Sequence, residues 1–319
     1  MAEKIPLLVI CGPTASGKTR LAVELAEIYN GEVISADSMQ IYKGLSVATA
    51  KPTEAEMRGI PHHLIDFLEP DMPFSVADYV RSARECIGSV CSKGKLPILC
   101  GGTGLYISSL VDNVNFEDSV GSTEKRDELR GYAETFGKHS LWKRLNAVDP
   151  EAAAAIHENN LNRVIRALEV YEVSGKTITQ LKTESRLEQS PYNACIIGIG
   201  FNDRQVLYDR INRRVDEMVK QRLVEEVSEF YRSYEPTTAY QAIGYKELIP
   251  YFEGEVSLDE AIEKIKLETR HYAKRQLTWF RRLDGIEWVY ADDAENYKNF
   301  LNNVQKIVAK SGIMCYNII

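Results

Sequence analysis

The sequence predicts an α/β fold in which a P-loop core, a parallel sheet flanked by helices, is interrupted by an inserted α-helical domain. Continuous apolar runs, typical of strands covered on both faces, alternate with segments of helical periodicity. The first of these runs leads directly into a glycine-rich phosphate loop. Strand signals then vanish between about residues 116 and 190 while helical periodicity continues, which predicts the insertion.

Helix ends can be recognised between the predicted strands. Leu21, Leu25 and Ile28 form the apolar face of the helix after the first strand, and we expect that helix to stop near the Asn-Gly pair at 30–31. Ser75 with Asp78 has the pattern of a capping box and predicts the start of a second helix. The predicted core strands span residues 5–11, 32–37, 96–100 and 195–201.

The chain is expected to divide into two domains. Residues 1–115 and 191–319 form the P-loop α/β core with its C-terminal helices, and residues 116–190 form the inserted helical domain. One helix of the insertion is closed by Gly175. Its apolar face is formed by Leu161, Val164, Ile165, Leu168 and Tyr171.

Composition narrows the class of protein. Of 319 residues, 44% are hydrophobic and 27% are charged, as in an ordinary globular protein. No apolar run approaches the roughly 20 residues of a membrane helix, so we expect a cytoplasmic protein with no membrane partner. The six cysteines lack zinc-site or disulfide-framework spacing. A net charge of −7 argues against a surface that is basic throughout, but it permits a local basic face.

A phosphate loop follows the first strand. The segment GPTASGKT fits G-x-x-x-x-G-K-[ST], with a predicted strand before it and a predicted helix after it. Its glycines let backbone N–H groups surround an anion, and Lys18 adds a full positive charge. The Thr19 hydroxyl can ligate Mg²⁺. The predicted phosphate-binding residues are Gly12, Pro13, Thr14, Ala15, Ser16, Gly17, Lys18 and Thr19.

The loop recognises phosphate and not a particular molecule, so its ligand stays open at this point. A nucleotide kinase is expected to have a second strand ending in Asp that helps to hold Mg²⁺, whereas the strand at 96–100 ends in Gly-Gly-Thr. Asp37 is the acidic candidate, at the sheet edge where ligands bind in such folds. Its carboxylate could ligate metal, accept a proton from an attacking group, or cap a turn.

Several segments together resemble the tRNA dimethylallyltransferase (tRNA isopentenyltransferase) family, bacterial type. They span nearly the whole chain in the family's order, and the second, fourth and last are far more selective than the P-loop alone. The segments are GPTASGKT at 12–19, ISADSMQIYKGLSVATAKP at 34–52, PHHLIDFLEP at 61–70, GGTGLYI at 101–107, NRVIRALEVYEVSGKT at 162–177, AIGYKEL at 242–248 and KRQLTWFRR at 274–282.

The resemblance implies transfer of a dimethylallyl group from dimethylallyl diphosphate to N6 of adenine 37 in tRNAs that read codons starting with U. The P-loop would then hold the donor's diphosphate together with Mg²⁺. By position, Asp37 matches the family's general base, and Arg214 matches the arginine that stabilises the departing diphosphate. Thr19 matches the residue at the metal, Lys18 a diphosphate contact, and Thr103 the threonine near the leaving group. Without the resemblance, Arg214 would be interpreted as a solvated helix charge.

A basic face is predicted near the end of a long helix that Ser257 and Glu260 open as a capping box. Four residues of this helix share one face, which suits contact with phosphate and stacking on a base. In the alternative interpretation, these cations are solvated and only interact favourably with the helix dipole at the C-terminus. The resemblance favours contact with RNA. The four residues are His271, Arg275, Trp279 and Arg282.

The resemblance also implies a set of tRNA contacts, and we hypothesise that the insertion grips the anticodon stem-loop. A base inside a loop must leave its stack to react, which requires a pocket for the adenine. The implied contacts are Asp37, Ser38, Met39, Gln40, Thr103, Arg126, Asn162, Arg163, Arg166, Gln241, Gly244, Tyr245, Lys246, Lys274, Arg275, Gln276, Trp279 and Arg281.

Other functions remain open from the sequence. A related enzyme that prenylates free adenine nucleotides shares the P-loop and the aspartate but does not need an RNA-gripping helix. A P-loop small-molecule kinase should bind ATP with Mg²⁺ and release ADP, and an ATP-gated RNA-binding protein should form no product. For the oligomeric state, a monomer is the simplest expectation.

Overall fold

The computed structural model of the protein describes residues 4–114, 121–185, 189–234, 238–293 and 296–313. The chain forms two compact units, one from Met1–Val111 with Pro191–Ile319 and the other from Asp112–Ser190. The predicted boundary between residues 115 and 116 lies outside the described residues. Throughout the described part of the chain, each helix is too short or too polar to cross a membrane.

The first unit contains a parallel sheet, as the alternating strand and helix signals predict. Over the described residues the strands are β1 (Ile5–Cys11), β2 (Gly31–Ala36), β3 (His62–His63), β4 (Leu96–Gly101), β5 (Tyr192–Gly200) and β6 (Ile286–Tyr290). Their order in the sheet is β3-β2-β4-β1-β5-β6, and every paired neighbour runs parallel. Strands β1, β2 and β4 are buried almost throughout, as expected for strands whose two faces are both covered.

Helices of the first unit pack on this sheet and beside it. Strands β1, β4 and β5 share one core with apolar residues of the first and last of these helices, including Leu21, Leu25, Phe300 and Val304. Among the described residues, the α-helices are α1 (Lys18–Tyr29), α2 (Glu54–Met57), α3 (Val76–Ser92), α4 (Gly104–Val111), α10 (Arg204–Lys220), α11 (Leu223–Ser233), α12 (Tyr245–Phe252), α13 (Leu258–Phe280) and α14 (Tyr297–Lys310).

Predicted helix ends agree with the structure, with one error in a predicted face. The capping boxes at Ser75 and Ser257 are present, each with two reciprocal hydrogen bonds. Helix α1 ends at Tyr29, and Asn30 caps it in the left-handed conformation. Ile28 does not share the buried face, however. It is 46% exposed, since the buried stretch of α1 ends at Ala26, and Tyr29 instead packs against the core from the last turn.

The second unit is helical in its described part, residues 112–114, 121–185 and 189–190. Val164, Ile165 and Leu168 are buried in its core as predicted, and Gly175 ends their helix with a φ of 72°. The fully buried Glu169 beside them was not predicted. The described helices are α5 (Thr123–Phe136), α6 (Lys138–Val148), α7 (Pro150–Ala155), α8 (Leu161–Ser174) and α9 (Ile178–Ser185).

The carboxyl ends of the central strands bring three predicted segments to one edge of the sheet. The P-loop follows β1, Asp37 follows β2, and Thr103 follows β4, two residues after Gly101. Because adjacent parallel strands end at the same edge, residues far apart in sequence meet there.

Candidate active site

The P-loop is braced by its own backbone conformation and by a neighbouring helix. Gly17 is the residue before α1 and has a φ of 92°, a conformation that L side chains rarely adopt. The carbonyl oxygen of Ala15 accepts a hydrogen bond from Nε of Arg210 on α10 at 2.8 Å. Arg210 therefore fixes the loop from outside, a role that the sequence did not indicate.

Two cations lie together where the loop meets α1. Burial, with a smaller contribution from the charge of Arg214, lowers the pKa of Lys18 to about 8. Burial also lowers the pKa of Arg214, opposed mainly by the carboxylate of Asp37. Both pKa values are lowered mainly by burial, which disfavours the charged form of each side chain. An anion with several oxygens placed here would relieve this cost, so the site is arranged for a phosphate group.

Asp37 caps a turn with one carboxylate oxygen. Its Oδ1 accepts from the backbone N–H groups of Met39 at 2.9 Å and Gln40 at 3.3 Å. Within the described residues, Oδ2 receives no hydrogen bond. The turn-cap interpretation is therefore correct for one oxygen, while the other is available to accept a proton from a reacting group.

Thr103 ties the end of β4 to the turn that follows β2. Its Oγ1 accepts from the backbone N–H of Ser38 at 3.0 Å and donates to Oγ of Ser38 at 3.3 Å. The backbone N–H of Thr103 donates to the carbonyl oxygen of Ala36 at 3.0 Å. These bonds hold Asp37 and Thr103 in a fixed relation across two neighbouring strands.

Three concave spaces meet at Arg214. The central pocket contains Lys18, Thr19, Asp37 and Arg214. The P-loop cleft opens from it on the side of Ser16 and Gly17, and it shares Lys18, Thr19 and Arg214 with the central pocket. The third space, which we call the α13 pocket, opens on the other side and shares Asp37 and Arg214. An anion held in the P-loop cleft can thus meet a second molecule entering through the α13 pocket.

Tyr272 of α13 is a site residue that the sequence did not reveal. It lines both the central pocket and the α13 pocket. Burial raises the pKa of its phenol, and the nearby Asp37 carboxylate adds to the rise. The phenol is therefore protonated at neutral pH. Cys100 also lines the central pocket, and burial raises the pKa of its thiol to about 11, so it is not a ready nucleophile.

Comparison with known proteins identifies the family. A family model described as IPP transferase matches residues 40–283, and one described as isopentenyl transferase matches residues 5–67. A tRNA dimethylallyltransferase of Thermoanaerobacter sp. is 53% identical over 308 residues, covering 96% of this chain and 98% of that protein. The chain belongs to the tRNA dimethylallyltransferase family.

Further members of the family agree over nearly the whole length. The Geobacillus thermodenitrificans enzyme is 48% identical over 310 residues, 97% of each chain. The crystal structure of the full-length tRNA isopentenylpyrophosphate transferase from Bacillus halodurans is 43% identical with a TM-score of 0.72, covering 97% of this chain and 98% of that one. A eukaryotic dimethylallyltransferase acting on tRNA is 27% identical with a TM-score of 0.81, covering 96% and 80%. The resemblance seen in the sequence is confirmed, and it favours prenyl transfer to tRNA over the alternatives.

Predicted RNA contacts on α13 lie on its exposed face. Lys274 and Arg275 are exposed, and Arg275 also lines the α13 pocket. Trp279 is 37% exposed, and one side of its ring is pressed against the backbone of Gly104. A Cβ at position 104 would lie only 2.3 Å from Cδ1 of Trp279. Arg281, which caps the helix, is exposed as well.

Gln276, for which the resemblance implies an RNA contact, is hydrogen-bonded inside the protein and lines the central pocket. It is buried on the opposite face of α13. Its Oε1 accepts from the backbone N–H of Thr14 at 2.8 Å, and its Nε2 donates to the carbonyl oxygen of Gly102 at 3.0 Å. Both ends of the amide are engaged inside the protein, so Gln276 supports the P-loop.

Two further implied contacts are also engaged internally. Tyr245 is buried, and its hydroxyl donates to Glu226 at 3.1 Å. Gln40 donates through Nε2 to the carbonyl oxygens of Thr49 and Ala50 at 3.1 and 3.2 Å. These hydrogen bonds give both side chains a supporting role inside the protein, and the tRNA contact implied for them stays a prediction.

The segment around the start of α12 borders the α13 pocket. Gln241 and Lys246 are exposed and line it. Gly244 lines it too, with a φ of 105°, and its backbone N–H donates to Oε2 of Glu247 at 2.8 Å. Ser38 and Met39 complete the pocket from the turn after β2.

The second unit holds two of the implied arginines in place through a buried carboxylate. Glu169 accepts from Nε of Arg126 and from Nη1 of Arg166, each at 2.8 Å. Hydrogen bonds from both arginines and from the backbone of Ser122 outweigh burial and lower the pKa of Glu169. Arg163, with Asn162 beside it, is exposed on α8.

Proposed function

We propose that this protein transfers a dimethylallyl group from dimethylallyl diphosphate to N6 of adenine 37 in tRNAs that read codons starting with U, releasing diphosphate. The observation that carries the proposal is the junction at Arg214. The P-loop cleft and the α13 pocket open into the central pocket from two sides. Asp37 lines the α13 pocket and the central pocket.

Binding of the donor follows from the charges around the P-loop. The diphosphate would lie in the P-loop cleft against Lys18, the N-terminus of α1 and Arg214. Its five-carbon chain would then extend into the central pocket, where Val33 and Ile65 are part of the lining. As the C1–O bond breaks, negative charge grows on the diphosphate, and cations already fixed there stabilise it without rearranging.

Attack by the adenine requires a proton acceptor. The N6 amine is a poor nucleophile, and it becomes positively charged as its bond to C1 forms. Oδ2 of Asp37 would accept the proton, since Oδ1 is already held by the backbone of Met39 and Gln40. Thr103 is hydrogen-bonded to Ser38, next to Asp37, and so would help to hold the carboxylate of Asp37 in position.

Mg²⁺ is part of the proposal. The Thr19 hydroxyl lies at the boundary of the central pocket and the P-loop cleft and makes no hydrogen bond among the described residues. Magnesium is commonly held by one or two protein oxygens together with substrate phosphates, and Thr19 fits that arrangement. When bound, the ion would neutralise charge on the leaving group.

In this proposal, arginines of the first unit and arginines of the second unit bind the tRNA anticodon stem-loop. Arg275 and Trp279 of α13 offer charge and a ring for a base near the α13 pocket. In the second unit, Arg126, Arg163 and Arg166 would contact phosphates, in keeping with the tRNA-binding role that was predicted for the insertion at residues 116–190. A cytoplasmic, monomeric enzyme is the form in which we expect this activity.

Transfer of radiolabelled dimethylallyl diphosphate in the presence of Mg²⁺ tests the proposal. The acceptors are unmodified tRNA, AMP and ATP, and Asp37→Ala runs beside the unchanged protein. Label in tRNA that is lost in the variant is the expected result. Label in AMP alone would instead assign the protein to free-nucleotide prenylation, and no transfer with intact ATP binding would refute the proposal.

A further inference from the structure

Glu226 of α11 clamps a loop through three consecutive backbone N–H groups. Its Oε2 accepts from Ser46 at 2.9 Å and Val47 at 2.7 Å, and its Oε1 accepts from Ala48 at 3.1 Å. The hydroxyl of Tyr245 donates to the same Oε1 at 3.1 Å. A single carboxylate thus satisfies four donors, none of which belongs to its own helix.

Gln40 binds the hydrogen-bond acceptors of the same loop. Immediately after the three N–H groups come the carbonyl oxygens of Thr49 and Ala50, which accept from Nε2 of Gln40. The backbone N–H of Gln40 in turn donates to Oδ1 of Asp37 at 3.3 Å. A continuous set of hydrogen bonds therefore runs from Glu226 through the loop to the proposed base.

The clamped loop, residues 46–50, separates the two entrances of the site. Ser46, Val47 and Ala50 line the P-loop cleft, whereas Ala48 lines the α13 pocket. Thr49 lines the α13 pocket and the central pocket. These five successive residues thus form one wall between the pockets. The Glu226 carboxylate binds the N–H groups of residues 46–48, and the Gln40 side-chain amide binds the carbonyl oxygens of residues 49 and 50.

We propose that Glu226 is a positioning residue for the transfer reaction, acting through this wall on Asp37 and on the acceptor nucleotide. The inference rests on the proposed function. The ionised carboxylate is required because it offers only acceptors to its N–H and O–H partners, whereas a side-chain amide would turn an NH₂ group towards at least one of them. The groups that hold the diphosphate in the proposed function, namely Lys18, the N-terminus of α1 and Arg214, lie outside residues 46–50. Loss of the wall should therefore act on turnover more than on donor binding.

Glu226→Gln, which preserves shape, tests the inference, and Glu229→Gln is the matched control. Glu229 is exposed on the same helix and makes no side-chain hydrogen bond among the described residues. We expect Glu226→Gln to lower kcat by about 10- to 100-fold while leaving donor affinity within about threefold, since small misplacements near reacting groups carry such costs. The control should keep its kcat. Equal kcat for both folded variants would overturn the inference.

Amide hydrogen exchange separates this inference from the proposed activity. In Glu226→Gln, the N–H groups of Ser46, Val47 and Ala48 should exchange faster, while those of β1 and β4 keep their protection. Unchanged exchange at residues 46–48 would refute the clamp even if the protein proved to use another acceptor. Uniformly faster exchange with a lowered Tm would indicate a merely structural role, and it would refute positioning as well.

Discussion

The backbone N–H of Thr14 donates to the side-chain oxygen of Gln276, 262 residues further along the chain, at 2.8 Å. The amide nitrogen of Gln276 donates to Gly102 at the end of β4. One side chain therefore joins the phosphate loop, the neighbouring strand end and α13. The helix that carries the proposed RNA contacts also supports the proposed donor site.

Replacing Gln276 separates support of the P-loop from contact with RNA. In Gln276→Ala, the N–H of Thr14 and the carbonyl oxygen of Gly102 lose their partners inside the protein, so the loop should loosen. We expect the KM for dimethylallyl diphosphate to rise about tenfold or more, with a smaller change in the KM for tRNA. Steady-state kinetics with each substrate varied in turn provide the measurement.

Thr278→Ala is the matched control for that variant. Thr278 is exposed on the same helix, and within the described part of the chain its hydroxyl donates only to the carbonyl oxygen of Lys274 on α13. Both KM values should stay within about twofold. A rise confined to the tRNA KM in Gln276→Ala would show that Gln276 reads RNA directly, against the arrangement described here.

Asp37→Asn is expected to abolish proton acceptance while keeping the turn. The Asn oxygen can still accept from Met39 and Gln40, so the loop should remain folded. The single-turnover rate of transfer to tRNA should fall by about 10²- to 10⁴-fold, as expected for loss of a general base. Donor binding should not change. Asp71→Asn, at an exposed residue, controls for the loss of one negative charge, and equal rates for both variants would exclude Asp37 as the base.

Gly104→Ala should displace Trp279 without touching any charge. The added Cβ would lie 2.3 Å from the indole ring, so the ring must move off the turn after β4. We expect weaker tRNA binding than in the unchanged protein, and little further loss when Trp279→Ala is added, because both changes remove the same contact. Gly88→Ala, a helix position with open space around it, should bind tRNA normally. Full additivity of the two losses would contradict the shared contact.

The hydrogen bonds of Glu32 should make the free energy of unfolding depend on pH in the acidic range. Burial alone would raise its pKa, but hydrogen bonds from Lys95, His63 and Lys93 bring the pKa of Glu32 down from 4.5 to about 2. Because the folded pKa is lower than the unfolded one, the stabilisation is present above about pH 4.5 and is lost as the pH falls towards 2. Glu32→Gln should remove this component and lower stability at neutral pH by about 3 kcal/mol.

Urea unfolding at a series of pH values between 2 and 7 measures that effect. The exposed Glu27, paired with Arg58, offers a control in Glu27→Gln, which should cost at most about 1 kcal/mol. If Glu32→Gln and the unchanged protein lose stability in parallel below pH 4.5, the Glu32 cluster does not account for the acid sensitivity.

Local features were the predictable part of this fold. The capping boxes at Ser75 and Ser257 and the end of α1 at Asn30 each depend on a few adjacent residues, and the structure shows all of them. The P-loop was equally readable, because its conformation is encoded in eight consecutive residues. The short strand β3 was missed, since two residues carry no periodicity.

Long-range contacts were the unpredictable part of the site. The motif containing Gln276 grouped it with Lys274 and Arg275 by adjacency, although neighbouring helix positions face different directions. A signal did exist, because Ala273, Gln276 and Phe280 follow the spacing of a buried face, and all three are buried. No comparable signal marks Glu226, whose backbone partners at residues 46–48 lie about 180 residues earlier in the chain.

Because α13 is one continuous helix, substitutions on its two sides should have different effects. Inward positions such as 272 and 276 are bound to the phosphate chemistry, and a change there alters the donor site whichever RNA is used. Outward positions such as 274 and 278 are exposed, and a change at either one should leave that machinery undisturbed. Substitutions on the two sides of this one helix should therefore separate effects on the donor site from effects on RNA binding.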